Sequence, residues 1–313
     1  MNTTLKRWHV GSPSDEVIPD GVVAFGSAEA AEAAVRVPRV VGFHQAMAEP
    51  LPRAEEVHIG LPTYRGKSFQ PVLAWLAATR LAAPGARVVW QVDKQQGPDS
   101  VRRLLESLGW RIEQVKRGRQ RLLSGIAPAE AELPEPRHFT ARVAGAELTF
   151  AADYGVFSPG EVDAGTALLL EAALRCDPVE SVADIGTGYG PLAIGLLRGG
   201  IARRALVTDV DCVALWLARH NARLNGTEIE ARWTPDPGTV EATPLTVCNV
   251  PTHIDAEATR LLMDRLLERA KTGRLLAVVH ASLESRYVAH FRRAGMDPSR
   301  FPGPAHVVLG AGA

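Results

Sequence analysis

Short apolar runs alternate along most of the chain with stretches whose apolar residues recur at helical spacing. That is the pattern of α/β layers built on parallel strands. In the first half, GVVAFG (21–26), VVGF (40–43) and EVHIGL (56–61) read as strands, and FQPVLAWLAATRLAA (69–83) reads as a helix. ARVVWQV (86–92) follows as a buried strand and DSVRRLLESLG (99–109) as a helix closed by Gly109. The second half repeats the rhythm more strongly, with helices expected at 161–175, 190–198, 211–224, 255–271 and 282–294. Strands are expected there at 181–185, 204–209, 229–233, 244–248, 274–280 and 305–309.

Between the halves lies AELPEPRHFTARVAGAELTFAADYG, where two prolines and several glutamates precede an alternating segment that Ala144-Gly145 can turn into a hairpin. A boundary near residue 135 is expected, giving α/β domains over 1–135 and 136–313. Their matching rhythm suggests a duplicated fold, although no residue-level repeat is visible.

Composition narrows the class. A chain of 313 residues, 46% hydrophobic and with a formal net charge of zero, has enough apolar content for two buried cores. Neutral charge gives no electrostatic argument for a nucleic-acid coat or an anionic membrane. Cys176, Cys212 and Cys248 are far apart and unpaired in spacing, and no apolar run has the length of a membrane span, so a reducing, cytoplasmic setting is expected. The nine histidines form no H-E-x-x-H or Cys/His cluster, so no metal site is expected. No G-x-S-x-G or P-loop occurs either, which removes serine-hydrolase and P-loop nucleotide-hydrolase chemistry.

The sharpest signal is SVADIGTGYGPLAIGLL, a strand ending at Ile185, then Gly186, Thr187, Gly188 and Gly190, then a helix. Alternate glycines permit positive φ and close approach of a ligand to the backbone at a strand-to-helix crossover. The spacing is G-x-G-x-G, not the dinucleotide G-x-G-x-x-G, and Asp184 precedes the loop. A carboxylate there opposes a pyrophosphate and suits a ligand with an amino group. The next strand, ALVTDVD, ends at Asp209 beside Val210, where a carboxylate can accept both hydroxyls of a ribose. Together these residues point to S-adenosylmethionine. The plainer alternative is a tight crossover loop, with Asp209 or Asp211 capping the following helix.

YGVFSPGEVDAGTALLLEAAL, VADIGTGYGPLAIGLL, VTDVDCVALWLARHNARLNG and VCNVPTH, in that order, resemble the class I S-adenosylmethionine-dependent methyltransferases. Within that class they resemble the small-domain group containing the ribosomal small-subunit RNA guanine-N2 methyltransferases. GLPTYRGKSFQPVLAWLAA and GARVVWQVDKQQGPDSVRRLLESLG resemble, more weakly, the degenerate N-terminal domain of those enzymes. The resemblance implies a Rossmann-like C-terminal fold. It also implies that Phe157 and Asp163 lie over the cofactor, with core packing for Phe157 and helix capping for Asp163 as alternatives. A polar group near the adenine is implied after the third strand, where ARWTPDPGT offers only Asp236.

The family signature after the fourth strand, N-P-P-[F/Y], aims an exocyclic amine at the donor methyl and stacks a ring on a flat base. Here it reads Asn249, Val250, Pro251, Thr252, so Asn249 and Pro251 match and the ring is missing. His253 follows, either as a proton acceptor or as an ordinary loop histidine. The leading expectation is methyl transfer to a nucleobase-type nitrogen, with RNA guanine as the acceptor implied by the resemblance. A small-molecule acceptor and a cofactor-binding protein without transfer activity are the alternatives. RIEQVKRGRQRLL (111–123) can contact RNA phosphates or serve as a charged strand edge.

Overall fold

Two seven-stranded sheets organise the chain, which divides into two compact units, Met1–Arg137 with Asp153–Gly155, and His138–Ala152 with Val156–Ala313. The computed structural model describes residues 4–12, 18–118, 120–158, 160–252 and 254–312.

The first unit contains β1 (Leu5–Val10), β2 (Gly21–Ala24), α1 (Ser27–Ala34), β3 (Val40–Gly42), α2 (Phe43–Ala48), β4 (Ala54–Gly60), α3 (Phe69–Leu76), β5 (Ala82–Asp93), α4 (Pro98–Ser107), β6 (Arg111–Arg117) and β7 (Gln120–Ile126). Its strand order is β3-β2-β1-β4-β5-β7-β6. Three elements depart from the apolar pattern. LKRWHV carries two cations and reads as no strand, yet its buried Trp8, His9 and Val10 make it an interior strand of the sheet, β1, between β2 and β4. Phe43 opens a helix instead of closing a strand, because its ring packs among Phe25 and Phe69 at centroid distances of 5.9 and 5.2 Å. The expected helix 69–83 is α3 followed by a π-turn over Ala77–Leu81, after which Ala82 already pairs with Ala54. The basic segment forms β6 and β7. β6 is the outermost strand, exposed at nearly every position, and its charges protect an open edge.

The second unit begins with β8 (His138–Val143) and β9 (Ala146–Ala151), which form the expected hairpin. Ala144 and Gly145 turn it with φ of 51° and 80°, the two positive values of a type I′ turn. Then follow α5 (Ala164–Ala173), β10 (Val179–Ile185), α6 (Pro191–Arg198), β11 (Ala202–Asp209), α7 (Cys212–Leu224), β12 (Glu230–Trp233), β13 (Leu245–Asn249), α8 (Ala256–Arg269), β14 (Arg274–His280), α9 (Glu284–Arg293), β15 (Ser299–Pro302) and β16 (His306–Ala311). The order β12-β11-β10-β13-β14-β16-β15 repeats that of the first unit. Only β16 runs antiparallel to its neighbours β14 and β15. The order reverses at β10, and the crevice beyond the carboxyl ends of β10, β11 and β13 is where doubly wound sheets bind ligands.

Alternation decides the faces of this sheet. Cys248, Val250, Ala277 and Val279 turn toward α8 and α9 and pack with Met263, Tyr287 and Phe291. Burying each of the larger side chains among them contributes about 1.5–3 kcal/mol. The opposite face is covered by α5, α6 and α7. Two polar side chains fix what the apolar contacts leave loose. Asn221, fully buried on α7, accepts from the Ala151 amide (2.7 Å) and donates to the carbonyls of Ala151 (2.9 Å) and Tyr189 (2.8 Å), tying the hairpin to the glycine loop. Arg269, 8% exposed on α8, donates to Thr246 Oγ1 (3.0 Å), Thr243 Oγ1 (3.3 Å) and the carbonyls of Pro237 (3.4 Å), Val240 (3.1 Å) and Glu241 (2.9 Å).

Candidate active site

Gly186, Gly188 and Gly190 leave the end of β10 with φ of 74°, 59° and 93°. The amides of Gly186 and Thr187 each donate to the Thr208 carbonyl at 2.9 Å, and Gly190 donates to the Thr187 carbonyl at 3.0 Å, so the loop is anchored on β11. A Cβ on Gly186 or Gly188 would meet no protein atom within 4 Å. At these two positions the loop needs glycine for its backbone angle, and the space beside them is open to a ligand. Gly190 differs, because a Cβ there would press 3.2 Å from Ala218 and Ile194 where α6 approaches α7.

The two acidic residues divide their work differently from the expectation. Asp184 is 1% exposed, and its Oδ2 accepts from Thr187 Oγ1 (2.7 Å) and the Ala193 amide (3.3 Å). Burial pushes its carboxyl up to about 7. Asp184 therefore braces the loop against α6 from beneath, instead of facing a ligand's amino group, and Thr187, also buried, turns inward with it. Asp209 is only partly buried at the end of β11; its Oδ2 accepts from the Gly188 amide and its Oδ1 from the Asp211 amide, each at 2.9 Å. Burial raises its carboxyl to about 6. The Val210 amide donates to it as well; a carboxylate has four lone-pair sites, so at least one remains for a hydroxyl of a diol. Asp211 caps α7, accepting from the Val213 amide at 2.8 Å.

Val210 is exposed beside Asp209, and its carbonyl accepts from Trp233 Nε1 at 3.2 Å. Asp236 is committed elsewhere: it accepts from the Gly238 amide at 2.8 Å and pairs with Arg265 at 2.9 Å. These two partners hold it in the turn that follows β12. The ring at this rim is Trp233, missed in the sequence although its position as the last residue of a strand was readable.

Across the crevice, Asn249 ends β13. Its Nδ2 donates to Asp163 Oδ2 (2.8 Å) and Thr166 Oγ1 (3.0 Å). Asp163 also caps α5, accepting from the amides of Gly165 (2.9 Å) and Thr166 (3.0 Å), which is the capping alternative. Val250 is buried in the α8–α9 core, and its amide donates to the Val278 carbonyl at 3.1 Å, a bond that a proline there could not make. Pro251 and Thr252 are exposed at the lip. Phe157 is 71% exposed, which removes the core-packing alternative. His253 lies outside the described residues.

Residues 147–293 match the family model described as Methyltransferase small domain. The match covers most of the C-terminal unit. The chain resembles the ribosomal RNA small subunit methyltransferase C of Chromohalobacter salexigens, 32% identical over 226 residues, which are 67% of this chain and 65% of that protein. The counterpart in Stutzerimonas stutzeri is 33% identical over 169 residues, 52% of this chain and 48% of that protein. A ribosomal protein L11 methyltransferase of Caldicellulosiruptor bescii is 48% identical over 68 residues, 21% of this chain and 22% of that protein. The chain thus spans 65% or less of the length of these curated relatives. The fold of both units is shared with the T. thermophilus 16S rRNA N2 methyltransferase solved with AdoMet and guanosine, at a TM-score of 0.71, 23% identity, and coverage of 98% of this chain and 88% of that one. No helix among the described residues is long and apolar enough to cross a membrane.

Proposed function

We propose that the chain is an S-adenosylmethionine-dependent methyltransferase acting on a nucleobase-type nitrogen, with guanine N2 of ribosomal RNA as the acceptor. The fixed amide of Asn249 carries this reading. Asp163 can only accept, so the Nδ2 of Asn249 is turned inward and its Oδ1 faces outward as an acceptor for an amine N–H. The open cradle at Gly186 and Gly188 and the free capacity of Asp209 fit the cofactor named. Gly188 would approach its amino-acid end, Asp209 would accept from a ribose hydroxyl, and Val210 and Trp233 would border its base.

The bound cofactor supplies a methyl group already activated on a sulfonium. The chain's own task is orientation: Asn249 Oδ1 holds one amine hydrogen so that the nitrogen lone pair is aimed for in-line attack. Pro251 stiffens the lip on which the acceptor rests. No strong base is required of the protein, and His253 is assigned no step.

A second acceptor class, a small molecule, is favoured by one observation: exposed Thr252 stands where a stacking ring would grip a base. The test is transfer of labelled methyl from S-adenosylmethionine into fractionated extract. Label in 16S ribosomal RNA at guanine N2 is expected. Label confined to small metabolites would move the acceptor to the second class, and absence of label from both fractions would remove the transferase reading.

A further inference from the structure

The carboxyl end of β14 carries a pair of histidines that no cofactor role uses. Asn249 pairs in register with Val278, and two residues further along β14 comes His280, level with Pro251. Alternation puts Asn249, Val278 and His280 on one face of the sheet, the face covered by α5. Strand spacing and rise set the His280 Cα about 8 Å from that of Asn249. β16 runs antiparallel and starts at the same end, so His306 pairs directly with His280. The two rings meet edge to face at 5.4 Å and 80°. His306 in turn lies on the first turn of α5, where a Cβ on Gly165 would come within 3.2 Å of its Cδ2 and 3.4 Å of its Nε2. Glycine in a helix costs roughly 1 kcal/mol relative to alanine, and here it makes room for that ring.

The protonation of His280 is readable from its neighbours. The Ser282 amide donates to Nδ1 at 3.3 Å, and Ser282 Oγ lies 2.7 Å from the same atom. An amide can only donate, so Nδ1 accepts and the neutral ring carries its proton on Nε2. His280 is exposed, and no described residue accepts from that Nε2–H.

We infer that His280 belongs to the acceptor subsite and donates from Nε2 to an oxygen of the acceptor, while His306 and Gly165 hold its ring in place. The inference rests on the nucleobase reading above. Asn249 offers an acceptor oxygen and His280 a donor on the same face, which together complement an edge bearing both an amine and a carbonyl. Guanine has such an edge, with its amine at N2 and its oxygen at O6. His280 is therefore a specificity residue, and His306 a positioning residue.

The test compares the full chain acting on guanosine and on 2-aminopurine riboside, which keeps the amine and lacks the oxygen, with labelled S-adenosylmethionine as donor. The wild type should favour guanosine in kcat/KM by roughly tenfold, the size of one neutral hydrogen bond. His280→Ala should erase that preference through the guanosine KM with kcat little changed, and His280→Gln, which retains an N–H, should restore it. A preference surviving in His280→Ala, or a wild type that uses both nucleosides equally, overturns the role of His280 and leaves the transferase reading standing. Transfer to neither nucleoside by the wild type overturns this inference, which requires the subsite to grip a free guanine, and leaves the nucleobase reading to the label in 16S ribosomal RNA.

Discussion

Asn249 and Asp163, 86 residues apart in the chain, meet at 2.8 Å, and the carboxylate dictates which way the amide faces. An asparagine is as good a helix cap as an aspartate, so Asp163→Asn is expected to leave the thermal midpoint nearly unchanged. It would also allow the Asn249 amide to turn over, and methyl transfer should fall about tenfold or more while cofactor affinity holds. Asn249→Ala should lose roughly a hundredfold in turnover, the scale of a misaimed reactant, again with cofactor affinity intact. Calorimetry and single-turnover transfer on the same samples check both; a fully active Asn249→Ala would remove the residue from the mechanism.

Asp209 makes cofactor affinity depend on pH. Burial lifts its carboxyl to about 6, above the ordinary 3.8, and only the ionised form accepts from a hydroxyl of a diol. Affinity should be level above pH 7 and decline about tenfold per pH unit below pH 6. Asp209→Asn should bind weakly at pH 8 and lose this dependence. Titration calorimetry across that range is the measurement, and a flat wild-type profile would contradict it.

Asp184 makes stability depend on pH in the opposite sense to a salt-bridged carboxylate. Its folded carboxyl is raised to about 7 from 3.8, so between those values the native state binds more protons than the unfolded one. Its favourable contribution is complete below the unfolded value and is lost as pH rises through 7. The change is on the order of a few kcal/mol. Asp184→Asn keeps an oxygen for Thr187 and the Ala193 amide, and should flatten that slope in urea unfolding at pH 5, 6 and 7. Parallel curves for mutant and wild type would argue against it.

Thr252 offers a way to distinguish acceptors. Thr252→Tyr returns a ring to the lip, and stacking on a base is worth about 1–3 kcal/mol. The acceptor KM should fall if the acceptor is a planar base and stay level if it is not. Steady-state transfer measured against ribosomal RNA and against the small-metabolite fraction reads the difference.

Much of this architecture was legible because the second unit's strands are unbroken apolar runs closed by glycine or acidic residues. SVADI followed by G-T-G-Y-G allows little else, and Ala144-Gly145 gave its turn away. What stayed hidden depends on contacts distant in sequence. LKRWHV looks polar until β2 and β4 flank it, and Phe43 reads as a strand end until Phe25 and Phe69 surround its ring. In the candidate site, type and position placed Asn249 and Asp209 at the carboxyl ends of β13 and β11, where the structure has them. Type alone did not reveal the partners of Asp184 and Asp236, because a carboxylate near a loop can also bond an amide beneath it or an arginine beside it. His280 and His306 carry no local signature at all; their pairing comes only from the antiparallel return of β16.

The cage around Arg269 has a mechanical consequence. Its guanidinium is solvated by three backbone carbonyls and two threonine hydroxyls, much as an ionophore wraps a metal ion. Opening residues 237–243 would strand a cation in a medium of low polarity, so the connection from β12 to β13 is clamped at the amino end of β13, away from the crevice, before any ligand arrives. Its ordering entropy is spent during folding, not at binding.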